Sequence, residues 1–156
     1  MGYTHSWYRN RIIAPYDMIA IKSDFDMIVE KLPAESAIKE LPEYLVGYYD
    51  VAFRGTHGSA EDFVFTEQST GRVISNDGTN DPSVIGKCFE FCKTERLPYD
   101  LAVCCFLIIA KKYLGENIRI QTDGSQKDWK AAMGLCRQVV GYGKDCLVSG
   151  GVVTRA

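Results

Sequence analysis

The stretch Phe89 to Asp100, FEFCKTERLPYD, sets two cations and a hydroxyl just ahead of the most apolar run of the chain. Lys93, Thr94 and Arg96 have the chemistry of an anion site. A helix beginning at the end of this stretch would turn free N–H groups and the positive end of its dipole toward them. Charge-assisted bonds from lysine and arginine suit a phosphate or a carboxylate. The competing reading is structural: Asp100 caps the helix, and Lys93 and Arg96 pair on the surface with Glu90 and Glu95.

The two histidines are the next candidates. His5 alternates with Tyr3 and Trp7 in GYTHSWYR, so all three share one strand face. Such a group could line a pocket by stacking and hydrogen bonding, as nucleobase sites do, or be satisfied in a core. His57 follows Arg54 in the polar loop RGTHGSAE. A two-histidine phosphoesterase needs His-x-Ser/Thr twice on neighbouring strands. His57-Gly58-Ser59 fits once, in a loop, and His5-Ser6-Trp7 does not, because its hydroxyl falls on the opposite strand face. A cysteine nucleophile needs a histidine base, and Cys92 with His5 is the pair to consider. Cys88 and Cys92 stand four apart with no second Cys/His pair at zinc spacing, so no metal is expected. Asp123 and Asp128 read as turn and cap. There is no phosphate-binding glycine loop, and no cofactor is implied.

The elements that must position these residues follow from periodicity. GYTHSWYR is a first strand. Pro15 opens a helix whose apolar residues run from Met18 to Leu32, and Pro33 stops it. AESAIKEL reads as a short helix before Pro42. YDVAFRG and DFVFTEQ form a hairpin with Val51, Phe53, Phe63 and Phe65 inward. TGRVIS is a short strand, and residues 76–83 are loop. Leu101 to Ala110 is continuously apolar, too short to span a bilayer, and closed by Lys111, Lys112 and Gly115. NIRIQTDG is a strand with Ile118 and Ile120 inward. Ser125 and Asp128 make a capping box for a helix that Gly141 ends. CLVSGGVVTR reads as one last strand, weakened by Gly150 and Gly151.

The expected class is therefore α+β. It is a mainly antiparallel sheet with about three helices packed on one face, one of them fully buried over about residues 100–114, in a single domain of residues 1–156.

Composition narrows the partners. Hydrophobic residues make up 46% and charged residues 24%, and 18 basic against 20 acidic side chains leave a net charge of -2. A dedicated duplex binder would show a basic excess. The N-terminal segment has no apolar signal core. Three of the six cysteines, Cys104, Cys105 and Cys136, lie in apolar helical patterns. Reduced thiols and a cytoplasmic location are the expectation.

The blocks MGYTHSWYR, FCKTERLPYD and TDGSQKDW, in that order, resemble an uncharacterised family of small proteins of bacteria, prophages and phages. Its members begin Met-Gly-Tyr-Thr-His-Tyr-Trp and carry a Phe-Cys-Lys-Thr-x-Arg-x-Pro-Tyr-Asp block before a hydrophobic helix. Ser-Asp-Gly then precedes a helix with an early Trp. Ser6, Thr122 and Arg54 depart from the usual Tyr, Ser and Asn. The resemblance implies a shared fold and a phage-related setting, with no established activity.

The expected function is binding of a small anionic, nucleotide-like ligand, such as sequestration of a host immune signal. The pocket would lie between Tyr3, His5 and Trp7, the hairpin residues Arg54 and His57, and Lys93, Thr94 and Arg96. Two alternatives stand beside it: an inhibitor or adaptor that binds a host protein without a pocket, and a small phosphoesterase-type hydrolase. No membrane partner is expected, and a homo-oligomer is compatible with all three.

Overall fold

A computed structural model describes residues 2–41 and 49–155. The first strand, β1 (Thr4–Arg9), is followed by α1 (Pro15–Lys31), β2 (Ile38–Glu40), β3 (Val51–Gly55), β4 (Phe63–Phe65) and β5 (Arg72–Val73). Then come β6 (Cys88–Lys93), α2 (Asp100–Leu114), β7 (Ile118–Thr122), α3 (Gln126–Val140), β8 (Cys146–Ser149) and β9 (Val152–Arg155). Six strands form one sheet in the order β5-β6-β1-β7-β9-β8, and β2-β3-β4 form a second. Every pairing between these strands is antiparallel. The class is α+β, as the periodicity implied.

The helix α2 is apolar on all sides because it is covered on all sides. Ala102 to Ala110 are buried without a break. Both α1 and α3 pack on α2, and β7 lies beneath it. The small sheet closes the remaining side: Phe63 and Phe65 approach Phe106 at 4.8 and 5.1 Å, and Trp7 reaches Phe63 at 5.4 Å. No helix among the described residues is long and apolar enough to cross a membrane.

Local chemistry explains most boundaries. Pro15 occupies the first turn of α1, where its missing N–H costs nothing. Ser125 N–H bonds Asp128 Oδ2 at 2.9 Å to start α3, and Gly141 ends it at φ 83°.

Three expectations change. AESAIKEL gives a single 3-10 turn at Ala34–Ser36 and then β2, which pairs with β3; Pro42 lies outside the described residues. CLVSGGVVTR is a hairpin, because Gly150 and Gly151 both take positive φ, 59° and 77°, and reverse the chain. Asp100 is the first residue of α2 rather than its cap, and its side chain bonds elsewhere.

Candidate functional site

Alternation in β1 sends Tyr3, His5, Trp7 and Arg9 inward, and all four are buried. The strand register sets His5 between Cys92 of β6 and Thr122 of β7. The imidazole stands under the first turn of α2 and bridges two elements. Its Nδ1 is 2.8 Å from Thr122 Oγ1, and its Nε2 is 2.7 Å from Asp100 Oδ1.

Donor counting fixes the direction of this chain. Thr122 Oγ1 accepts the Gly124 N–H at 2.9 Å and the Trp129 Nε1–H at 3.1 Å. A hydroxyl oxygen has two lone pairs, so its own proton is left for His5 Nδ1. His5 therefore carries its proton on Nε2 and donates to Asp100. Thr94 Oγ1 donates to the same carboxylate oxygen at 2.5 Å, and the Cys104 thiol donates to the other at 3.5 Å. Burial pushes the Asp100 carboxyl up, but the hydrogen bonds it accepts from His5, Thr94 and Cys104 outweigh it and leave Asp100 below its ordinary value. Tyr3 and Trp129 close the imidazole edge-on, each with its ring centroid 5.1 Å away.

All three sequence blocks converge here. Thr94 and Glu95 N–H groups both donate to Tyr3 O, and Thr4 N–H donates to Asp123 Oδ2. Arg96 Nη1 bonds Asp128 at 2.9 Å, which ties the second block to the third. Glu95 and Arg96 both take left-handed backbone, φ 56° and 60°. Two successive non-glycine residues in that region are strained. The conformation lays the Arg96 guanidinium on the Tyr3 ring, 4.0 Å from its centroid. Gly124 makes room beneath, since a Cβ there would collide with the Tyr3 hydroxyl.

Of the residues singled out from sequence, Tyr3, His5, Thr94 and Arg96 form one group, with Lys93 at its edge paired to Glu95 at 3.2 Å. Trp7 lies apart in the core and donates to Glu90 at 2.9 Å. Arg54 is paired with Asp62 at 3.0 Å on the exposed hairpin. His57 is exposed and hydrogen-bonded to Thr56. Their loop meets the other side of the junction: the Tyr99 hydroxyl and the Lys93 backbone both bond Glu61.

Sequence reasoning missed Asp100, Thr122 and Arg9. Thr122 and Arg9 carried a signal, since each continues the inward alternation of an assigned strand. Arg9 is buried over Phe65, donates to the carbonyls of Asn10, Arg11 and Glu67, and lies 3.7 Å from Glu90.

The arrangement has the hydroxyl–imidazole–carboxylate order of a nucleophile triad. Both lone pairs of the Thr122 oxygen are already occupied, which weakens it as a nucleophile. Cys92, beside His5 in register, bonds the Glu61 and Asp62 carbonyls instead and is pushed up to about 12 by burial. His5, Asp100 and Cys104 have ligand atoms within 4.8 Å of one another. Tetrahedral zinc bonds of about 2.0–2.3 Å require ligand atoms roughly 3.3–3.7 Å apart. The two sulfur distances of 3.5 Å meet that, and the 2.7 Å His5–Asp100 hydrogen bond does not.

Comparison with known proteins gives no matching family model, no matching curated protein and no matching solved structure.

Proposed function

We propose that this protein binds a small anionic, nucleotide-like ligand at the rim formed by Lys93, Arg96 and Tyr3. The observation that carries this reading is the strained pair Glu95–Arg96, which holds a guanidinium over an aromatic ring at the edge of a hydrogen-bonded polar cluster. Backbone strain of this kind persists only where surrounding structure imposes it, and it concentrates at ligand sites. The present partners of the two cations, Glu95 and Asp128, are surface groups. Exposed ion pairs contribute little, so a phosphate that accepts two guanidinium bonds can replace them. In the phage setting that the sequence blocks suggest, the task would be sequestration of a host nucleotide signal.

The test is calorimetric titration of phosphate and of linear and cyclic nucleotides into the wild type and a Lys93→Ala/Arg96→Ala variant. The double variant should melt nearly as the wild type does and bind roughly ten- to a hundredfold more weakly, the worth of about 1.5–3 kcal/mol in charge-assisted bonds. Equal affinity in both proteins, or no binding by either, removes this reading.

A further inference from the structure

We propose that the open face of the six-stranded sheet is a stacking platform for single-stranded nucleic acid. The helices cover one face. On the other, alternation directs Tyr8 from β1 and both Phe89 and Phe91 from β6 outward; Tyr8 and Phe89 are half-buried and Phe91 is exposed. The register decides what flanks them: Arg72 stands opposite Phe89, Phe89 opposite Tyr8, and Tyr8 opposite Arg119. Two arginines thus bracket two aromatic rings in one row across four strands. The next row runs Phe91, Ser6, Gln121. Ring centroids are 5.0 Å apart for Tyr8 and Phe89, and 6.0 Å for Phe89 and Phe91. Phe91 is 57% exposed. Beside these rings lies a shallow cavity of about 350 Å³, lined by Ser6, Phe89, Phe91, Gln121, Asp123 and the Gly150–Gly151 turn.

Charge selects the occupant. The charged side chains that the strands direct to this face are Arg72, Lys93 and Arg119, all positive. Arg72 is exposed and has no ion pair among the described residues. Arg119 bonds Asp81 and Ser83 through Nη1, and its Nε has no hydrogen-bond partner. Acids approach from the margins, Asp81 on Arg119 and Glu95 on Lys93, while Asp123, which accepts the Thr4 N–H, lines one end of the cavity. A second copy of the chain seated here by two-fold symmetry would set the same cations against one another. A polyphosphate strand with free base faces meets both features, rings for the bases and cations for the backbone. Aromatic residues on adjacent strands of an open sheet are a general way of stacking unpaired bases. A duplex keeps its base faces covered and asks for a broader basic footprint than a chain of net charge -2 supplies. Gln121 and Ser6 offer hydrogen bonds to a base edge.

This platform shares Lys93 with the Tyr3–Arg96 rim but otherwise uses different residues, on the outer face of the sheet. The experiment is fluorescence anisotropy with labelled single-stranded RNA, single-stranded DNA of the same sequence, and the matching duplex, at about 50 mM salt and then at rising salt. Single strands should bind more tightly than duplex. Phe91→Ala and Phe89→Ala should each weaken binding about tenfold or more. Arg72→Ala should weaken it and flatten the salt dependence. Phe91→Ala should leave the melting temperature unchanged, since the ring is exposed, and Arg96→Ala should leave oligonucleotide binding unchanged. Preference for RNA over DNA would assign the 2′-hydroxyl to the Gln121 side, and equal binding would assign recognition to base and phosphate alone; both support the platform. Four results would overturn it: no binding of either single strand at tens of micromolar protein, tighter binding of duplex, full affinity in both phenylalanine variants, or a dimer in solution that Phe91→Ala dissociates.

Discussion

His5 Nε2 lies 2.7 Å from Asp100 Oδ1, although 95 positions separate the two residues. The bond joins the first strand to the first turn of the buried helix. Asp100 therefore works as the acceptor of a buried network, where a helix cap would have bonded its own backbone.

That role sets its cost. Asp100→Ala would leave the His5 Nε2–H and the Thr94 hydroxyl without their acceptor inside the core. The loss should be about 3 kcal/mol, above the roughly 1 kcal/mol of a lost cap. Urea unfolding followed by circular dichroism measures it, and a loss near the lower figure would return Asp100 to a capping role.

Acid should act through the same carboxylate. Asp100 is held below its ordinary value, and Asp128, hydrogen-bonded by Arg96, is held down to about 2. Groups with depressed folded values stabilise above the unfolded carboxylate value of about 4, and that stabilisation is lost as pH falls through the folded values. The melting temperature should therefore fall from about pH 4 toward about pH 2. Asp128 is only partly buried at the surface, so its share is screened. Asp100→Asn should melt lower at neutral pH and lose less on acidification. Parallel acid profiles for the two proteins would contradict this.

Thr122→Val tests the donor count. The variant keeps the shape but removes the hydrogen bond to His5 Nδ1 and the acceptor of Gly124 and Trp129. Long-range nitrogen–proton NMR of the wild type should show the His5 proton on Nε2. The variant should lose about 2 kcal/mol. A wild-type spectrum with the proton on Nδ1 would reverse the chain of bonds.

The thiols should be silent in the folded protein. All six cysteines are free and buried. Burial pushes Cys92 up to about 12 and Cys146 up to about 11, and raises Cys104. A disulfide reagent at mildly alkaline pH should titrate none of them quickly and all six after unfolding. Fast reaction of one thiol in native protein would reveal an opening of the core that this packing does not show.

Leu107→Asp should abolish folding. Leu107 is fully buried in the middle of α2, with helices and both sheets around it, and a charge there has no partner. Cooperative, wild-type-like melting of the variant would contradict the packing.

Much of the frame was legible because periodicity is local. The alternation of Tyr3, His5 and Trp7, the apolar run from Leu101 to Ala110, and the capping pair Ser125–Asp128 each report their element without help from distant residues. The same signals extended to Arg9 and Thr122, whose inward parity marks them as buried polar groups needing partners. The short β2 was misread as helix because Ile38 to Glu40 owe their extended form to pairing with β3, a contact no local pattern carries.

The chain by itself determined which side chains turn inward, and hence that a histidine, an arginine and a threonine must be satisfied in the core. Which partners satisfy them was decided by tertiary structure. Asp100 could cap its helix or reach across the fold, and both choices use the same residue in the same helix. The choice went to His5 because β1 passes beneath the start of α2, where an uncompensated imidazole N–H would cost more than an uncapped turn. The same folding put Arg72, Phe89, Tyr8 and Arg119 in one row, from four strands whose order in the sheet no stretch of sequence specifies.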